Sequence, residues 1–193
     1  MIKKAIILIL TAHVITILQS CCTDEFNYKW KGFNIDLIDN SGIDPRISEN
    51  NVINKKALGM RITMADTIYQ IAQSKIFNNS CYATSCGEKY IRVHDIRSLI
   101  IRTLNDYSPD YLSDSEITHL FKARIIENTR QDYIPIDEML TLINQNNTYS
   151  VFKTFDIYLM DTTCIAGPQK FEIVFNLSDG NRLINQTNFT LTN

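Results

Sequence analysis

Near the end of the chain, Phe171, Ile173, Phe175 and Leu177 alternate with Glu172, Val174, Asn176 and Ser178. This period of two constrains the fold more than any other stretch. Successive side chains of a strand point to opposite faces, so one face of the segment is set for burial. Asp179-Gly180 follows at once. Asp-Gly suits a tight hairpin turn, after which Leu183 to Leu191 returns antiparallel. Phe155, Ile157 and Leu159 repeat the alternation, as do Leu58, Met60, Ile62 and Met64 in a strand from Ala57 to Met64, with Gly59, Arg61 and Thr63 on its other face. Tyr28 to Asp39 is a further strand. There Tyr28 and Trp30 alternate with Lys29 and Lys31, and the apolar phase then slips to Phe33, Ile35 and Leu37. A slip of one residue at Lys31-Gly32 is what a β-bulge produces. Ile91 to Leu104 has strong β-propensity, as one kinked strand or two. About six strands between turns point to a mainly β chain built as an antiparallel β-sandwich. Trp30, Phe155, Ile157, Phe171, Ile173 and Phe175 are expected to fill its core.

Two short helices are expected in one insertion between strands. Ser113-Asp114-Ser115-Glu116 has the spacing of a capping box, and Ile117, Leu120 and Phe121 follow on one helical face. After Pro135, Ile136, Met139, Leu140 and Ile143 keep the same period. Thr67 to Phe77 fits a helix and a strand continuation equally.

The N-terminus sets the address. Lys3 and Lys4 precede an apolar run from Ala5 to Leu18, fourteen residues broken only by Thr11, His13 and Thr16. A membrane span needs roughly twenty apolar residues, so a signal peptide over residues 1–20 fits better. Leu18-Gln19-Ser20-Cys21 closes it and resembles a bacterial lipobox. That resemblance implies lipidation of Cys21, by diacylglyceryl transfer to its sulfur, and cleavage before it. Several acyl chains on one cysteine anchor a protein stably without a span. Residues 21–27 would then be a lipidated tether and 28–193 a single domain. The address implied is the cell envelope at the outer membrane, and the acidic residues Asp24 and Glu25 behind the cysteine resemble a signal for export to the cell surface.

Composition narrows the partners. The full chain has 193 residues and a formal charge of −2, which becomes −4 once Lys3 and Lys4 leave with the signal peptide. A mild acidic balance argues against nucleic acid, which calls for a basic patch. The partners expected are the membrane, through the anchor, and an envelope protein or glycan.

Five cysteines are the one constellation with chemistry. With Cys21 lipidated, Cys22, Cys81, Cys86 and Cys164 allow three pairings. A compartment outside the inner membrane permits disulfides. Cys81 and Cys86 lie close in a polar loop, and a local bridge between them is expected. Neither zinc nor redox spacing is present. Asp36 and Asp39-Asn40-Ser41-Gly42 invite a calcium reading, but the spacing is that of a turn. His94 sits beside Asp95, on what is expected to be a strand, where the two would face apart. His119 is expected on the exposed side of a helix. No catalytic, cofactor-binding or metal-binding residue is assigned.

One resemblance covers nearly the whole chain past the signal. The lipobox, then Phe26-x-Tyr28-x-Trp30, Asp39-Asn40-Ser41-Gly42 and Lys56-Ala57-Leu58-Gly59-Met60-Arg61-Ile62, resemble in their order a family of uncharacterised Bacteroidetes lipoproteins. Cys81-Tyr82-Ala83-Thr84-Ser85-Cys86 and Leu177-Ser178-Asp179-Gly180 fit the same order. The resemblance implies an immunoglobulin-like sandwich on a lipid tether. It carries over no functional residue. The expected function is a non-catalytic binding or accessory module. The alternatives are a divergent envelope hydrolase and a structural partner of an outer-membrane complex.

Overall fold

Ten strands and one α-helix are present in the computed structural model, which describes residues 24–70, 88–126, 132–145, 153–161 and 163–193, together with Lys4. The strands are β1 (Asp24–Asp39), β2 (Arg46–Ile47), β3 (Val52–Asn54), β4 (Leu58–Gln70), β5 (Glu88–Arg92) and β6 (Ile96–Thr103). They continue as β7 (Phe121–Ile125), β8 (Thr154–Leu159), β9 (Gly167–Leu177) and β10 (Arg182–Thr192). The helix is α1 (Ile136–Gln145). The larger sheet runs β2-β1-β4-β8-β7, with β5 also paired to β1. The smaller sheet runs β3-β10-β9-β6.

The alternating segments form strands where their pattern places them. The shift in register on β1 falls between Trp30 and Gly32, at the expected bulge. Past it Phe33 and Leu37 are buried, as Tyr28 and Trp30 are before it. Phe171, Ile173, Phe175 and Leu177 are buried on β9, and Gly180 turns the chain into β10 at φ +87°. A positive φ is costly for side chains with a Cβ and free for glycine. The two sheets meet in one apolar core. Phe33 lies edge-on to Phe175 at 4.8 Å between centroids, and Phe121 contacts Phe171 at 6.0 Å. Trp30, Phe155 and Ile157 belong to the same core.

Three expectations change. First, Ser113 to Phe121 is not an α-helix. Its backbone pairs with the end of β6: Asp114 N donates to Thr103 O at 2.7 Å, Thr103 N to Ser115 O at 3.0 Å and Ile117 N to Ile101 O at 2.8 Å. Those partners replace helical ones, and only a 3-10 turn forms at Thr118–Leu120. The Ser113 hydroxyl donates to Leu104 O instead of capping, and Asp114 has φ +67°. Among the described elements α1 is thus the one α-helix. It buries Ile136, Met139, Leu140 and Ile143 as its period requires. Second, the pairing is not antiparallel throughout: β5 joins β1, and β3 joins β10, in parallel. Third, His94 and Asp95 are not on a strand: of the two alternatives for Ile91 to Leu104 the chain takes two strands, here in different sheets, with these residues in the bend between them. The ambiguous segment after Met64 continues as strand to Gln70, and residues 71–77 lie outside the described residues.

Registers orient the molecule. Asp24 pairs with Glu88 at one end of the larger sheet, and Asp39 pairs with Leu58 at the other. Lys55 N donates to Thr192 O, so the end of β10 and the start of β9 lie at the Leu58 end. The segments 40–57, 104–120 and 160–166 all gather there, opposite Asp24.

α1 closes the flank between β6 and β7, the outermost strands on that side. Its C-terminus is held by Arg92, whose side chain is 4% exposed. Arg92 Nη1 donates to Ile143 O at 2.8 Å and Nη2 to Asn144 O at 2.5 Å. A guanidinium supplies both the donors and the positive charge that a helix C-terminus favours. The Asn144 side chain bonds both backbone groups of Ile96, which ties the same end to β6.

Candidate functional site

A hollow lies beside the first turn of α1. This lateral cleft has a volume of about 600 Å³. Ser98 and Ile100 of β6, Glu116, Thr118 and His119, Lys122 of β7, and Pro135 and Asp137 form its rim. The β6 pairing described above builds it: the strand-like run to Ile117 carries Glu116 and His119 to the same edge as α1. Thr118 Oγ1 accepts from Ile101 N at 2.9 Å and donates to Glu116 Oε1 at 3.2 Å. His119 Nε2 lies 2.9 Å from the Tyr111 hydroxyl. The cleft thus combines two carboxylates, an imidazole, an ammonium and two hydroxyls around an apolar floor of Leu99, Phe121 and Ile136. Such a mixture can recognise a polar ligand by several directional contacts.

A second hollow of about 430 Å³ lies on the outer face of the smaller sheet, at the end away from Asp24. Pro168 and Lys170 of β9 pair with Thr190 and Asn188 of β10 to form its floor. Asn50-Asn51 and Leu104-Asn105 stand on its two sides.

The outer face of the larger sheet holds a buried polar network that the alternation did not reveal. Asp156 is fully buried, and Arg61 grips it with two bonds of 2.8 and 3.0 Å. The Tyr158 hydroxyl donates to the second Asp156 oxygen at 3.0 Å. Burial, then the Asp156 carboxylate, push the Tyr158 hydroxyl pKa above its ordinary value. The hydrogen bond to Asp156 raises that of Arg61. Tyr158 lies over Gly59 with Arg124 at 5.6 Å from its ring, and Tyr133 meets it edge-on at 5.1 Å. Every charge here is answered, so the network is structural. Its one sequence signal is that Asp156 and Tyr158 sit two apart opposite an Arg-bearing strand face.

A family model covers residues 31–188. The chain belongs to the DUF5034 family, a domain of unknown function. No curated protein and no solved structure matches it. In this DUF5034 domain the matched span takes in most of both sheets, α1 and the whole lateral cleft, while the start of β1, the end of β10 and Cys21 lie outside it.

The residues singled out in the sequence fall as follows. Cys21, Cys22, Cys81 and Cys86 lie outside the described residues. Cys164 is buried and unbonded. Burial raises its thiol pKa, and it faces the Tyr107 hydroxyl, itself buried without a hydrogen-bond partner of normal geometry. A thiol kept protonated in apolar surroundings is a poor nucleophile. Asp39 Oδ1 accepts from Ser41 N at 2.8 Å, so its carboxylate closes the turn. Among the described residues no group of three or more His, Cys, Asp or Glu could hold a metal ion. His94 Nε2 lies 3.3 Å from Asp179 Oδ2, in the bend before β6 and outside the lining of the lateral cleft. His119, expected on a helix, reaches the cleft from the 3-10 turn instead.

Proposed function

We propose that the DUF5034 domain is a lipid-anchored, non-catalytic binding module of the cell envelope. Its partner is an envelope protein or a glycan, and Cys21 carries the lipid. The observation behind this reading is polarity. The described chain enters β1 at Asp24, and the segments 40–57, 104–120 and 160–166 lie at the opposite end. There Ile43, Ile47, Leu112 and Ile165 are exposed and the hollow of about 430 Å³ lies, while the lateral cleft sits on the flank beside α1. A tether at one end and recognition surfaces at the other suit a protein that holds something away from a bilayer. The two facing sheets and the β9–β10 hairpin support an immunoglobulin-like sandwich, modified by the parallel strands β3 and β5. The lipobox and the order of the motifs support membership among Bacteroidetes lipoproteins at the outer membrane.

The test has two parts. Cys21→Ala should abolish acylation and move the protein to the soluble fraction; retention at unprocessed mass would instead mean a spanning helix. A photo-crosslinker at Leu112 or His119 in the native lipoprotein should give discrete adducts that one at Lys29 does not. Equal adducts at all three positions would remove the reading.

The lateral cleft supports a second reading, a divergent hydrolase, because it brings Glu116, His119 and Asp137 to one mouth. Turnover of ester or glycoside substrates by the native protein, lost in both Glu116→Gln and His119→Ala, would establish it over the first.

A further inference from the structure

We infer that the trough on the outer face of the smaller sheet is a binding site for an uncharged oligosaccharide, with Asn50, Asn51 and Asn188 as its recognition groups. The inference rests on the binding-module reading and gives it a ligand class. The trough is built from all four strands of that sheet or the segments beside them. Pro168 faces Thr190 and Lys170 faces Asn188 across the β9–β10 ladder, so the four side chains share one outward surface. Gln169 and Phe189, their inward neighbours, are buried, which is the strand alternation working as expected. Thr190 N donates to Asn51 O at 2.8 Å and fixes one wall. Asn105 fixes the other, bonding Pro168 O at 2.7 Å and Lys170 N at 2.9 Å. The walls are thus held by hydrogen bonds to the β9 and β10 backbone, one through the Asn105 side chain, and need no ligand to form.

The amides of Asn50, Asn51 and Asn188 are exposed and make no hydrogen bond to any described group. Each offers an acceptor and two donors. Vicinal hydroxyls of a sugar both donate and accept, and match such a set. Other ligand classes fit worse. A cation would find no carboxylate, because no Asp or Glu lines the trough. A polyanion would find only the Lys170 ammonium. An apolar ligand would leave three amides dry, each at a cost. An extended peptide binds sheets by adding a strand at an edge, whereas here the β9 and β10 backbones are already paired to each other. Leu104 and the Pro168 ring supply apolar contact for the C–H face of a pyranose. The volume falls within the roughly 300–1,000 Å³ of small-ligand sites.

The test is saturation-transfer NMR and calorimetry on the folded protein with maltotetraose, cellotetraose, mannotetraose and galactotetraose, and with a sulfated oligosaccharide as the charged comparator. At least one uncharged sugar should bind. Asn188→Ala and Asn50→Ala should each weaken it about tenfold, the loss of one good hydrogen-bonding group. Lys29→Ala, on β1 and away from the trough, should bind like wild type. Both asparagines are exposed with free side chains, so their variants should melt with wild type. Absence of binding by all four sugars, equal binding by wild type and both asparagine variants, or preference for the sulfated comparator would each overturn the inference. Those results would leave the fractionation and cross-linking outcomes untouched, since these involve neither the trough nor a sugar.

Discussion

At position 59 an added Cβ would lie 2.7 Å from Ile38 Cγ1 and 2.8 Å from Tyr158 Cδ1. Both neighbours are fully buried and cannot swing aside. Gly59→Ala should therefore cost about 1–3 kcal/mol through overpacking, read as a lower urea midpoint at unchanged slope. Asp156→Ala should cost more, about 3 kcal/mol, because it strands the Arg61 guanidinium and the Tyr158 hydroxyl together. The pH dependence follows from three tyrosines. Burial raises the hydroxyl pKa values of Tyr28, Tyr107 and Tyr158. An unfolded tyrosine ionises near pH 10. A folded pKa above that value leaves stability intact below about pH 10 and erodes it as pH rises further. Absorbance at 295 nm should show part of the nine tyrosines ionising only with unfolding, and Tyr158→Phe should shrink that late step. A single smooth titration of all nine would contradict it.

At the scale of elements, the two helix expectations separate for a physical reason. Ile136 to Ile143 carries a period that only a helix satisfies against a core. Ser113 to Glu116 carries end-signals alone, and the same short polar side chains serve turns equally well. Asp114 makes this measurable. Inside a helix, glycine at 114 would be the poorest choice apart from proline. With φ at +67°, Asp114→Gly should instead leave stability within about 0.5 kcal/mol or raise it. Arg92 is the converse case. Beyond a contact with nearby Asp95, nothing local marks it, since the carbonyls it caps, Ile143 and Asn144, lie about fifty residues away. Arg92→Ala should cost about 2–3 kcal/mol and speed amide exchange in α1 before the sheets. Arg92→Lys should rescue little, because one ammonium cannot reproduce the fork.

Across the whole molecule, sequence period discloses which face of a strand is buried but not which strand lies next to it. Leu58 to Met64 and Phe171 to Leu177 were legible to the residue for that reason. The assignment of β5 and β6 to different sheets was not, because parallel pairing of Glu88–Arg92 with Asp24–Tyr28 leaves no local trace. Asp156 was hidden likewise, since β8 is buried on both faces and its alternation shows only one. The trough was illegible because its amides come from positions 50, 51 and 188, which only the β3–β10 pairing unites.

The β1–β4 ladder has a mechanical consequence. Its pairs run from Phe26–Gln70 to Asp39–Leu58, along nearly the full height of the fold. A pull on Asp24 toward its own end, resisted at residues 160–166 beyond β8, acts along the strand axis and across hydrogen bonds that lie perpendicular to it. All the bonds then share the force at once, as in a lap joint, and cannot be peeled open one by one. Stretched between those two points, the domain should yield abruptly and at high force. Drawn apart between Asn193 and Gly167, neighbours at the open end of the β9–β10 hairpin, it should open β10 from β9 like a zip.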